Sequence, residues 1–166
     1  MDLARLNTCD TDAFVTALAS VFEGTPKLAE RLATHRPFAD QHALIATAGQ
    51  VIRAMPHDER LAYIQAHPEL AGAAARLGQM AAHSVEEQGA TKLDRLDPSE
   101  QALFDASNRA YRDRFGFPFI AAVRLHTRQS LLAAFAQRLT HDRETELATA
   151  IDEICKIVGL RIAALP

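Results

Sequence analysis

Apolar positions along the chain recur at intervals of three and four residues, the spacing that lines one face of a helix. Phe14, Ala17, Leu18, Val21 and Phe22 form the first such stripe, with Asp10 or Thr11 able to cap it and Gly24 to end it. Pro26 suits the first turn of a short helix carrying Leu28 and Leu32. Arg36-Pro37-Phe38 then interrupts helix, because the residue before a proline avoids helical angles. Asp40 caps a second stripe of Leu44, Ile45, Ala48, Val51, Ile52 and Met55, which Pro56 stops. Asp58 is placed to cap a helix through Leu61, Ala62 and Ile64. Pro68 removes an amide donor beyond it, which leaves His67 at a helix end or elbow.

The alanine-rich stretch after Gly72 predicts one or two helices over residues 73–93, with weak apolar contrast and open boundaries. Asp97-Pro98-Ser99-Glu100 combines an N-cap, a first-turn proline and a capping-box acid, and the stripe of Leu103, Phe104, Ser107, Ala110 and Tyr111 then runs to Gly116. Phe117-Pro118-Phe119-Ile120 is extended at least locally. A further helix carries Leu131, Leu132, Phe135 and Leu139, and Thr140 punctuates it. The last stripe, Leu147, Ile151, Ile154, Val158 and Ile162, is long enough to brace a bundle or to form a dimer seam. No alternating apolar and polar run is bounded by a hairpin turn, and no repeat or linker divides the chain. The expected fold is all-α: a single compact bundle of about eight helices, one domain over residues 1–166.

Composition narrows the function classes. With 48% hydrophobic and 23% charged residues the chain is no disordered or low-complexity protein, and a net charge of -3 offers no bulk attraction to polyanions. Neither nucleic acid nor membrane is expected as a partner. Cys9 and Cys155 fall in no Cys-x-x-Cys arrangement, and the N-terminal residues lack the charged and apolar regions of a secretory signal, so a cytoplasmic location is expected. No two of the seven histidines stand three or four apart, and His83 with Glu87 is the one ligand pair at helical spacing, so no metal is expected. Glycine-rich phosphate loops and a Gly-x-Ser-x-Gly elbow are both absent.

Three segments depart from routine helix sequence, each with two readings. His67-Pro68-Glu69-Leu70-Ala71-Gly72 puts an imidazole at a chain break, either as a general acid or base facing a cleft or as a surface cation at a helix C-terminus. Ser84-Val85-Glu86-Glu87-Gln88 gathers a hydroxyl, two carboxylates and an amide, and Ser84 with Glu87 also spells a capping box. Phe115-Gly116-Phe117-Pro118-Phe119-Ile120 offers either backbone groups beside a cavity or a hydrophobic plug between helices. Arg109, Arg112, Arg114, Arg124 and Arg128, interspersed with acids, read as a solvated surface.

Together these segments resemble the 2-oxo-4-hydroxy-4-carboxy-5-ureidoimidazoline (OHCU) decarboxylase family, whose reaction in urate breakdown yields (S)-allantoin. The likeness begins at Val21-Phe22-Glu23-Gly24-Thr25-Pro26 and Arg36-Pro37-Phe38 and continues through His67-Pro68-Glu69-Leu70-Ala71-Gly72 and Ser84-x-x-Glu87-Gln88. It then takes in Asn108-x-x-Tyr111-x-x-x-Phe115-Gly116-Phe117-Pro118-Phe119-Ile120 and ends at Arg138-Leu139 and Arg161. Members often carry Ala-Gly where this chain has Thr91-Lys92, and glycine where it has Leu125. The resemblance implies a carboxy-lyase without cofactor, acting on a small-molecule substrate as a homodimer. It makes His67 the proton donor and Glu87 its acidic partner. Pro68, Ser84, Val85, Glu86 and Gln88 would line the substrate pocket, with backbone groups of Phe119, Ile120, Ala121, Ala122 and Val123, and with Arg161 as a further contact. Two other readings keep the fold: a non-catalytic helical ligand-binding module, and a decarboxylase or hydrolase of a related ureido compound. The first has no chemical need for His67, Ser84, Glu87 and Gln88 together, and the second would differ around Thr91 and Leu125.

Overall fold

A computed structural model describes residues 2–72, 93 and 95–165, and among these the chain is all-α, with no strand. Its helices are α1 (Leu3–Thr8), α2 (Thr11–Ala17), α3 (Pro26–Ala33), α4 (Gln41–Arg53), α5 (His57–Gln65), α6 (Pro98–Phe115), α7 (Arg128–Arg138) and α8 (Arg143–Ala163), with a 3-10 turn at Val123–Leu125. The helices expected within 73–92 lie outside the described residues. No helix among the described residues is long and apolar enough to cross a membrane. The chain divides into two compact units, Met1–Arg60 with Cys155–Pro166, and Leu61–Ile154.

In the first unit, local sequence sets most helix ends. Asp2, Asp10 and Asp40 each accept a backbone N–H three residues on, and Pro26 opens α3. α1 was not predicted, since its six residues bury one apolar side chain, Leu6. The stripe expected from Phe14 to Phe22 is not one helix: α2 stops at Ala17. Bonds from Val21 to Leu18 and from Thr25 to Phe22 tighten the chain, and Glu23 and Gly24 both take positive φ. Leu18, Val21 and Phe22 are nonetheless fully buried, so the apolar spacing reported burial rather than helix. Asn7 clamps the loop at Phe38 through two hydrogen bonds of 2.8 and 2.9 Å. Asp58 lies inside the first turn of α5, which begins at His57, rather than at its cap.

In the second unit, α6 opens on the predicted capping box: Asp97 accepts from Ser99 and Glu100, and Glu100 accepts from the Asp97 amide. It closes on Gly116 in the left-handed region at φ 79°. Its buried face is Phe104, Asn108, Tyr111 and Phe115, whereas Leu103 and Ala110 of the expected stripe are exposed. The inward face is rotated so that an asparagine enters the core. α7 packs on α6, and Tyr111, Phe115, Phe117, Phe119 and Phe135 make one aromatic cluster, with Phe119 stacked on Phe135 at 3.8 Å between centroids. The apolar stripe of α8 is buried within the chain, which removes it as a dimer seam.

Candidate active site

His67 follows the end of α5 and is buried, which excludes the surface-cation reading. Its Nδ1 stands 2.8 Å from the carbonyl of Tyr63. A carbonyl only accepts, so the proton of this bond sits on Nδ1. The Tyr63 ring meets the imidazole edge to face at 5.0 Å. Pro68, half-buried, prevents the chain from continuing as helix at this point.

One face of α6 grips the loop that follows. Asn108 Nδ2 donates to the Leu70 carbonyl at 2.8 Å, Gln101 Nε2 donates to the Ala71 carbonyl at 3.0 Å, and Arg112 pairs with Glu69 at 2.7 Å. Gln101, Asn108 and Arg112 are spaced by seven and four, the repeat of one helical face. The loop itself is tight: Ala71 takes φ 51°, and a Cβ on Gly72 would fall 2.7 Å from the Glu69 Cβ.

Phe119 through Val123, whose backbone the resemblance assigns to the pocket, are all buried and precede or enter the 3-10 turn. The aromatic-plug reading holds here, because the rings fill the core, while main-chain groups of the same segment meet buried charges. Arg138 Nη1 donates to the Ile120 carbonyl at 2.6 Å with its guanidinium 4.3 Å from the Phe119 ring centre, and Glu153 accepts from the Ala122 amide at 2.8 Å. Arg138 is held in turn by Glu146, which is wholly buried and also accepts from the Tyr111 hydroxyl and from His141 at 2.8 Å. Burial pushes the Tyr111 phenol well above its ordinary range, so it remains a donor. Among the described residues, the amides of Ala121 and Val123 and the carbonyls of Phe119 and Ala121 make no hydrogen bond.

Sequence reasoning missed the support of Arg138, Glu146 and Glu153. A signal was present: Glu146, Ala150, Glu153 and Ile157 repeat at four, three and four on one face of α8, and all four are buried. Arg161 is also buried, and in the first unit its Nη1 bonds Glu23 at 2.5 Å and the Val21 carbonyl at 3.4 Å. Ser84, Val85, Glu86, Glu87 and Gln88, and the His83 and Glu87 pair, lie outside the described residues. Among those described, no three of His, Cys, Asp and Glu converge as metal ligands.

Comparison with known proteins identifies the family of the chain. The model of the family described as OHCU decarboxylase matches residues 7–163. The chain is 34% identical over 163 residues to a 2-oxo-4-hydroxy-4-carboxy-5-ureidoimidazoline decarboxylase of Haloferax volcanii, covering 98% of this chain and 95% of that protein. It is 34% identical over 165 residues to the mouse (Mus musculus) protein of the same name, covering 99% and 93%. Among solved structures, an (S)-allantoin synthase superposes with a TM-score of 0.78 at 25% identity, over 99% of this chain and 54% of that longer one. The match spans nearly the whole chain and includes the His67 elbow and the Phe119–Val123 segment, and on that ground this chain belongs to the OHCU decarboxylase family.

Proposed function

We propose that this chain decarboxylates OHCU to (S)-allantoin in urate catabolism, with His67 as the proton donor. The observation that carries the reading is the buried imidazole at the end of α5, fixed by the Tyr63 carbonyl in one tautomer, within a chain of this family. Residues 7–163 answering to one family model support a single functional domain.

The substrate supplies its own electron sink, so the residues need only position it and handle protons. Breaking the bond to the carboxylate carbon releases carbon dioxide. The electron pair left behind forms a double bond between the hydroxyl-bearing and ureido-bearing ring carbons, and the former carbon–nitrogen π pair moves onto the ring nitrogen, which takes a proton. The enol then loses its hydroxyl proton while the ureido-bearing carbon gains one. An imidazole, with an ordinary pKa of about 6.5, exchanges protons near neutral pH, and delivery from one fixed face gives one enantiomer. Glu87 takes the hydroxyl proton and favours the imidazolium, and Pro68, Ser84, Val85, Glu86 and Gln88 line the pocket. The Ile120 carbonyl is taken by Arg138 and the Ala122 amide by Glu153, and the amide and carbonyl of Ala121 between them suit a ureido group, which both donates and accepts. The enzyme works as a cytoplasmic homodimer without cofactor.

The test generates OHCU in place from urate with urate oxidase and hydroxyisourate hydrolase, then follows the circular dichroism of the allantoin formed. Rapid growth of the (S) signal with the native chain, absent with His67→Asn, is expected. A folded native chain that leaves only slow racemic decay would overturn the activity, and full activity in His67→Asn would overturn the role of the histidine.

A further inference from the structure

Asn108 is the least expected member of the α6 core face. The residue is 5% exposed, and its two side-chain polar atoms fare differently: Nδ2 donates to the Leu70 carbonyl at 2.8 Å, whereas Oδ1 is buried without a partner among the described residues. An unmet buried acceptor is destabilising, and an apolar residue at this position would avoid that cost. What an apolar residue cannot do is donate to Leu70. That carbonyl belongs to the third residue after His67, in a loop that carries a non-glycine residue at positive φ (Ala71, 51°) and a glycine closed against Glu69. Such a loop holds its shape only if its surroundings dictate it. Of the three α6 side chains that grip it, Arg112 is 57% exposed and Gln101 half-buried, so the buried bond from Asn108 is the stiffest of the three.

We propose that Asn108 is a positioning residue for the proton transfer: by pinning the Leu70 carbonyl it fixes where the 67–72 loop leaves α5, and through it the face from which His67 reaches the reacting carbon. This rests on His67 being the proton donor. A displacement of about 1 Å in such a group can cost a hundredfold in rate, and it also allows solvent to protonate the enol from either side.

The experiment compares Asn108→Ala and the isosteric Asn108→Asp, which both remove the N–H donor, with the native chain and His67→Asn. It uses enzymatically generated OHCU, with rates referred to the folded fraction from far-ultraviolet circular dichroism and corrected for spontaneous decay. Expected are a fall of about tenfold to a hundredfold in kcat, a change in KM of less than about threefold, and a lower (S) excess in the allantoin formed by enzyme. A merely structural residue would lower the folded amount and leave the enantiomeric excess per turnover intact; that result, or native kcat and excess in both variants, overturns the proposal. Failure of the underlying reading shows separately, as native activity in His67→Asn.

Discussion

Arg138 donates to the carbonyl of Ile120 at 2.6 Å, across a separation of 18 residues, and in doing so ties α7 to the segment proposed to hold the ligand. The same guanidinium is paired with Glu146, and neither side chain is more than 8% exposed. Removing one partner of a buried pair leaves an uncompensated charge, whereas removing both does not. Arg138→Leu is therefore expected to lower stability by about 3–5 kcal/mol in urea unfolding, and Arg138→Leu with Glu146→Leu to recover part of that loss. A double variant no more stable than the single one would mean that the bond to Ile120, rather than the stranded carboxylate, dominates.

Gly72 and Gly116 separate two reasons for a glycine. At Gly116 an added Cβ meets nothing within 4 Å, but φ is 79°, so Gly116→Ala should cost about 1–2 kcal/mol through the backbone alone and leave kcat near native. At Gly72 the added Cβ would stand 2.7 Å from Glu69 Cβ and 3.3 Å from its carbonyl oxygen, so the 67–72 loop must move. Gly72→Ala should lose kcat well beyond its loss of melting temperature. Steady-state kinetics beside thermal melts would show whether the two losses part company.

What could be read from the sequence was what neighbours in the chain decide. The Asp97 capping box, the first-turn prolines, the glycine after α6 and the elbow at His67 depend on residues within four positions of one another, and all appear in the structure. The end of α2 could not be read, because Leu18, Val21 and Phe22 keep helical spacing while their backbone tightens into turns. Nor could the rotation of α6, which replaces Leu103 by Asn108 in the core, since the reason is a carbonyl 38 residues earlier. Glu146 and Glu153 share the spacing of Ala150 and Ile157, but spacing alone does not say that this face of a long helix is interior. Their partners Tyr111, Arg138 and Ala122 lie in other elements, so only the three-dimensional arrangement makes these carboxylates interior.

Acid should weaken the chain partly through its helix caps. Asp97 and Asp142 accept N–H and hydroxyl bonds at the N-termini of α6 and α8, and these bonds hold both carboxyls below the ordinary value of 3.8. A carboxyl lowered by folding contributes stability that is complete above its unfolded value and is lost as pH falls through its folded one. The cap contribution is thus intact at pH 5 and fades below about pH 4. Asp97→Asn keeps an acceptor but no titratable group. Its melting temperature should lie below that of the native chain at pH 5 and approach it by pH 2; a gap that stays constant would show that the charge on Asp97 contributes nothing.

Glu153 tests the second half of the proposed site. Its carboxylate accepts from the Ala122 amide at 2.8 Å and both residues are buried, so the bond is shielded from solvent. If Ala121 presents its amide and carbonyl to the ureido group because the neighbouring Ala122 is held by Glu153, loss of the acceptor should blur ligand placement before it affects the proton transfer proposed for His67. Glu153→Ala should then raise KM about fivefold to thirtyfold, the effect of losing about 1–2 kcal/mol of binding, with a smaller change in kcat. Glu153→Gln retains a carbonyl oxygen for the same amide and should recover most of the affinity. Equal defects in the two variants would instead assign the role to the negative charge of Glu153, and a fall in kcat at unchanged KM would move it from holding the ligand to the proton-transfer step itself.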